Sequence, residues 1–443
     1  MRINKTANCN TENFKGFYNI SAELEQNIPL SRGVIDIFGS DIPWLIMANN
    51  NAERMEKARR MSIVFVLLFL SPMALLPVFN RIAMKYGSKL VKSVLSDNHK
   101  IIHISNKELT DAASMKKGLE KLSSNYENGP IENLFRKITG KKKQKPLEYQ
   151  PMLEDIKTRY NLKTDEQALE KLRRKLINTK NGVMCADYLF SSLSLGSVGF
   201  INNAITKKKT GQSGFSAEFS MADKETVAKR ADNYEKTWKQ RYAALLGISF
   251  ALGIGVPLAV RHGLTGNTGK FAGFMKRQVS KFDYEKGIYM SRWSLLLGNI
   301  IACHTGAVLA NRNVTETKDN ILRFGMADAL FFGGDLVVGS VLGRLSDRFL
   351  KTNLIDKTDG KKLLPRLKPM KTLTNPRERK TACGLYWLNL AIISASMGFG
   401  VPALANRITR KDVQKELKSK NIQEFDFLKQ FVSSSKLAET IRR

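Results

Sequence analysis

Met61–Asn80, Tyr242–Val260, Trp293–Asn311 and Cys383–Asn406 are apolar blocks of nineteen residues or more without a charged side chain. A helix rises 1.5 Å per residue, so each run is long enough to cross a hydrocarbon core about 30 Å thick. Two further blocks of similar length carry acids. Gly182–Ile205 holds Asp187, and Phe324–Gly343 holds Asp328 and Asp335. Backbone in lipid must satisfy its own N–H and C=O groups, so all six blocks read as helices. The expected fold is therefore all-α: a polytopic helical membrane bundle of about six hydrophobic helices, built from repeated helix pairs, with a small helical surface subdomain. The expected location is an integral, multi-pass membrane protein.

Aromatic placement agrees with spans. Trp238, Trp293 and Trp387 fall at or near block starts, beside Tyr242, Tyr289 and Tyr386. Such rings favour the headgroup layer, being apolar at one end and polar at the other.

The blocks echo one another. Pro77-Val-Phe-Asn-Arg81, Pro257-Leu-Ala-Val-Arg261 and Pro402-Ala-Leu-Ala-Asn-Arg407 each set a proline about one turn before an arginine. Ala186-Asp-Tyr-Leu-Phe190 parallels Ala327-Asp-Ala-Leu-Phe331, with a fainter copy in Gly33–Asp41. The expected unit is an aspartate helix followed by an exit-arginine helix, with Trp293–Asn311 as an extra helix. The expected organisation is a polar arm (1–32), a first helix pair (33–80), a basic surface subdomain (81–181), a membrane domain of repeated helices (182–407) and a basic tail (408–443).

The chain holds 72 Lys plus Arg against 40 Asp plus Glu, a formal charge of +32, and the excess lies between the apolar blocks. Arg81–Asn181 opens its last helix with a capping box at Thr164-Asp-Glu-Gln167, followed by Leu169, Leu172, Leu176 and Ile177 at helical spacing. With six spans, Arg81–Asn181, Arg261–Arg292 and Arg344–Ala382 share one side and hold 42 basic residues. The N-terminal arm would lie opposite. Clusters at Lys141, Lys142 and Lys143, at Lys207, Lys208 and Lys209, and at Lys361 and Lys362 suit anionic lipid headgroups. The loops lack interleaved aromatics and any recognition motif, so the bilayer is the expected polyanion and nucleic acid is not.

Ionisable groups inside apolar blocks are costly and mark function by default. Asp335, His304, Asp328 and Asp187 are the transport candidates, with an Asp335–His304 relay as the sharpest form. Enzyme signals fail. Thr265-Gly-Asn-Thr-Gly-Lys270 puts Phe271 where a phosphate loop needs Ser or Thr, and neither GxSxG nor HExxH occurs. Cys9, Cys185, Cys303 and Cys383 show no paired spacing, and His99 with His103 makes a poor metal site. No cofactor and no metal is expected. The expected function is a non-enzymatic anchor or scaffold whose basic loops contact anionic lipid or an acidic partner. The alternative is a pore or secondary transporter using intramembrane carboxylates.

Overall fold

The computed structural model describes residues 16–25, 28–86, 91, 101, 104–123, 149–266, 270–285, 289–356 and 363–419. Within them the regular structure is helical, apart from one two-residue antiparallel ladder, β1 (Tyr284–Glu285) with β2 (Tyr289–Met290), and an isolated bridge between Ile355 and Leu367. Polar caps begin the long helices, as local chemistry requires. Asn50 accepts from Glu53 N, Asn313 from Glu316 N, Thr164 from Gln167 N and Asp223 from Thr226 N.

Two hairpins dominate. In the first, α1 runs Ile28–Asp36, passes a π-turn at Ile37–Asp41 and ends at Ile42–Ile46. Asn50 then caps α2, which runs Asn51–Phe65, a π-turn at Val66–Leu70, and Ser71–Tyr86. The second hairpin follows the same plan. Its α8 runs Arg292–Gly298, a π-turn at Asn299–His304, and Thr305–Leu309. Asn313 caps α9, which runs Val314–Ala329, a π-turn at Leu330–Gly334, and Asp335–Phe349. Loop chemistry matches too: Asn49 N donates to Glu53 Oε2 at 2.6 Å, and Arg312 N donates to Glu316 Oε2 at 2.7 Å.

Between the hairpins come α3 (Ala112–Ser123), α4 (Tyr149–Tyr160), α5 (Asp165–Thr210), α6 (Lys224–Thr265) and α7 (Lys270–Val279). The chain's last described helix, α10, runs Pro376–Ala395, a π-turn at Ser396–Gly400, and Val401–Ser419. Leu169, Leu172, Leu176 and Ile177 are all buried, in one cluster with Leu109, Met115 and Ile156.

The hairpins pack reciprocally. α1 crosses α10 where Gly398 lies: a Cβ there would come within 2.7 Å of Gly39 O and 2.6 Å of Pro43. α8 crosses α5 at Gly306, whose Cβ would stand 2.2 Å from Gly196 O. Asn203 on α5 donates to Ala310 O of the second hairpin's loop at 2.6 Å. Asn406 on α10 donates to Met47 O, the matching loop position of the first, at 3.0 Å. α2 packs on α5, and α9 on α10.

Four helices among the described residues, rather than about six, are long and apolar enough to cross a membrane: Asp165–Thr210, Lys224–Thr265, Val314–Phe349 and Pro376–Lys415. Both acid-bearing blocks fall inside these helices. The run Trp293–Asn311 forms the shorter α8, which stops at Leu309 because Asn311–Asn313 turns the chain into the next cap. Met61–Asn80 lies in α2, where it overlaps the apolar stretch Ala74–Ala83.

The N-terminal arm also departs from expectation. Tyr18 and Ala22, in residues 16–25, pack with Leu354, Met370, Leu373 and Cys383. This end of the molecule also holds the surface subdomain, where Lys180 bonds Asp283 at 2.5 Å. The opposite end, called the cap end below, carries Asn50, Asn313 and the segment 211–223. The difference arises because α1 runs from one end to the other before Met61–Asn80 begins.

Candidate functional site

A cavity of about 160 Å³ opens between the two hairpins. It is lined from both by residues at matching positions after their caps: Glu53 and Glu316, Glu56 and Asp319, Arg60 and Arg323, Met61 and Phe324. Before the caps, Ser40 and Asp41 stand where Cys303 and His304 stand.

At the cap end its charges are matched. Lys57 pairs with Glu53 at 2.6 Å, and Arg323 Nε with Asp319 Oδ2 at 2.7 Å. Arg312 reaches across the hairpins, donating from Nη2 to Glu56 Oε1 and to Glu316 Oε1, each at 2.7 Å. Burial opposes the Arg312 charge, but these two carboxylates outweigh it and hold the guanidinium above its usual range. The 3₁₀ turn Ser216–Ser220 closes this end. Asn50 Nδ2 donates to Ser216 O at 2.7 Å and Asn313 Nδ2 to the Glu218 carboxylate at 3.1 Å, so both caps hold one plug.

Over the whole cavity, seven lining carboxylates outnumber the lining cations Lys57, Arg60 and Arg323. Asp36 and Asp41 stand on α1 around its π-turn, five residues apart in a segment where a π-turn widens the ring of backbone bonds. Among the described residues, neither makes an ion pair with a lysine or arginine. Asp328 pairs with His304, Oδ2 to Nδ1 at 3.0 Å, and His304 stacks on Phe324 with ring centroids 4.5 Å apart. The Arg60 guanidinium lies over the same Phe324 ring at 4.6 Å. Trp44, Phe215 and Phe331 complete an aromatic share of the wall.

Sequence candidates divide. His304 and Asp328 line the cavity together. Asp335 does not; Arg292 Nη2 bonds its carboxylate, and its carbonyl accepts from Asn389 at 3.1 Å. His304 therefore meets Asp328, not Asp335, because both face the same side of the α8–α9 contact. Asp187 is buried on α5 and accepts from Tyr284 OH at 2.9 Å, away from the cavity. Lys207, Lys208 and Lys209 are exposed in the last turn of α5, with Lys207 bonded to Glu235 at 2.5 Å. Lys141, Lys142, Lys143, Lys361, Lys362, His99 and His103 lie outside the described residues. Sequence reasoning missed Asp36, Asp41, Glu53, Glu56, Glu316 and Asp319. The shared Asn-x-x-Glu at Asn50–Glu53 and Asn313–Glu316 was the signal that could have revealed them.

The chain matches no known protein family, no curated protein and no solved structure.

Proposed function

We propose that this is a multi-pass membrane protein made of two copies of a three-helix unit, α1–α2–α5 and α8–α9–α10, that passes a small cation through the cavity between them. The sequence pairs that fall on α1–α2 and on α9–α10 each lie within one unit, whereas the pair Gly182–Ile205 with Tyr242–Val260 joins α5 to α6, which belongs to neither. Matching π-turns, caps and loop hydrogen bonds support this pairing. The α6 helix supports the membrane setting: only 28% of its most apolar window is buried against protein, which leaves lipid for the rest.

One observation carries the cation reading. Among the described residues, four cavity carboxylates are matched by Lys57, Arg312 and Arg323, whereas Asp36 and Asp41 make no ion pair with a basic side chain and Asp328 pairs with a histidine, which leaves three acids against the lining cation Arg60. Unmatched acids in a buried space favour a positive guest. The aromatic wall suits an organic ammonium by cation–π attraction. A cavity of this volume is comparable to one of about 150 Å³ that admits benzene. The reading keeps the chain non-enzymatic. The scaffold alternative draws on Asp187 and Asp335, both of which are tied into the bundle.

The test is flux of sodium and of choline in vesicles containing the purified full-length protein. Asp36→Asn and Asp41→Asn should each lower flux about tenfold or more, while Asp335→Asn, if it elutes as folded protein, should not. Flux no greater than in empty vesicles, or flux indifferent to both cavity substitutions, refutes cation passage and leaves the scaffold.

A further inference from the structure

The α7 helix turns its large apolar side chains away from the protein. Phe271, Phe274 and Met275 are 76%, 48% and 36% exposed. Their spacing puts them on one face. The helix is anchored at its last residue: Val279 is buried and packs where Gly263 of α6 leaves room, a Cβ there falling 2.8 Å from Val279 Cγ2. Lys276 and Arg277 occupy the last turn of α7, with Lys281 two residues beyond it. Arg261 and His262, exposed at the end of α6, add to this basic margin.

Other exposed rings mark the same end of the bundle. Trp293 opens α8 at 49% exposure, with Lys281 Nζ 5.7 Å from its ring centroid. Tyr86 ends α2 and Phe349 ends α9, both largely exposed. Water would be a poor solvent for this ring of side chains. A headgroup layer accepts it, because rings enter the acyl boundary while ammonium and guanidinium groups stay among the phosphates.

We infer that α7 is an in-plane helix lying in the headgroup layer of an anionic leaflet, with Phe271, Phe274 and Met275 pointing toward the acyl chains and Lys276, Arg277 and Lys281 holding lipid phosphates. The inference rests on the membrane reading above. A soluble partner or a second copy of the chain could also cover an apolar face. The basic margin and continuity with the exposed ends of α2, α8 and α9 select lipid.

The test uses full-length protein with its four cysteines replaced by serine, reconstituted in phosphatidylcholine with or without phosphatidylglycerol. An environment-sensitive fluorophore is placed at Phe274→Cys and, as a mid-span control on α6, at Phe250→Cys. The label at 274 should be quenched by lipid nitroxides near the headgroup more than by nitroxides deep in the chain, and it should resist aqueous iodide. The label at 250 should show the reverse depth preference. Spin-labelled phosphatidylglycerol should quench the 274 label more than spin-labelled phosphatidylcholine, by up to about fivefold per basic residue. Lys276→Gln with Arg277→Gln should remove most of that difference. Quenching at 274 by iodide, or shielding from both iodide and lipid, overturns the inference. Equal quenching by the two lipids overturns its anionic part. If the label at 250 also escapes lipid, the membrane reading itself falls; if only 274 does, the in-plane helix alone falls.

Discussion

Arg312 is the residue on which the two hairpins depend most directly. Its side chain is 1% exposed, and it bonds Glu56 of α2 and Glu316 of α9. Nη1 and Nη2 reach Glu56 at 3.3 and 2.7 Å, and Nε and Nη2 reach Glu316 at 3.0 and 2.7 Å. Arg312→Met keeps most of the volume but leaves two poorly hydrated carboxylates facing each other. Breaking a buried pair from one side costs about 3–5 kcal/mol, chiefly through the uncompensated charge left behind. Glu56 should suffer most, since Glu316 keeps the backbone N–H of residue 312. Thermal unfolding of the detergent-solubilised full chain should then move down by on the order of 3–5 °C. Adding Glu56→Gln and Glu316→Gln should recover most of the loss, because the damage lies in the orphaned charges rather than in lost packing. A methionine variant as stable as the parent would refute this account of the joint, as would a triple variant no better than the single one.

Other consequences follow from the same reasoning. Gly306→Leu should force α8 from α5, since even a Cβ would overlap Gly196 backbone; expected is a loss of about 3 kcal/mol or failure to fold, read by yield and size-exclusion profile, with Gly247→Ala, where a Cβ meets nothing within 4 Å, as a tolerated control. Lys180→Met should destabilise the subdomain joint by about 3–5 kcal/mol, and Asp283→Asn should relieve it in the double variant, measured by denaturant unfolding. Asp111 caps α3 through Ser114 N at 2.7 Å; partial burial raises its pKa, but hydrogen bonds from Ser114 and Thr110 more than offset this and hold it below the usual range. Its stabilisation is therefore complete above the ordinary carboxylate range and is lost as pH falls through the lowered folded value. Asp111→Ala should cost about 1 kcal/mol at neutral pH and progressively less in acid, read by hydrogen exchange across α3.

Much of the helical layout was legible. Thr164 and Gln167 announced the start of α5, and the Leu169–Ile177 spacing named its buried face, because caps and periodicity are local chemistry. The candidate site was legible only in part. His304 and Asp328 were found because an ionisable group in an apolar run is conspicuous. Asp36 and Asp41 were read only as a faint echo, since α1 lacks a long uncharged run. Asp335 looked the best placed of all, yet the basic residue that bonds it, Arg292, lies at the start of another helix.

By itself the sequence determined where helices form and which of them resist water. Runs without charge, capping asparagines and Gly211, which ends α5 with a positive φ of 68°, act within a few residues of themselves. Only the tertiary structure decided which carboxylates share a cavity and which are matched. That choice depends on contacts such as Arg312 with Glu56 and Asn406 with Met47, between segments hundreds of residues apart. A charge pattern along the chain fixes how many acids there are. Which of them keeps a basic partner is set by how the two hairpins exchange helices, through backbone approaches at Gly306 and Gly398 that no single segment encodes.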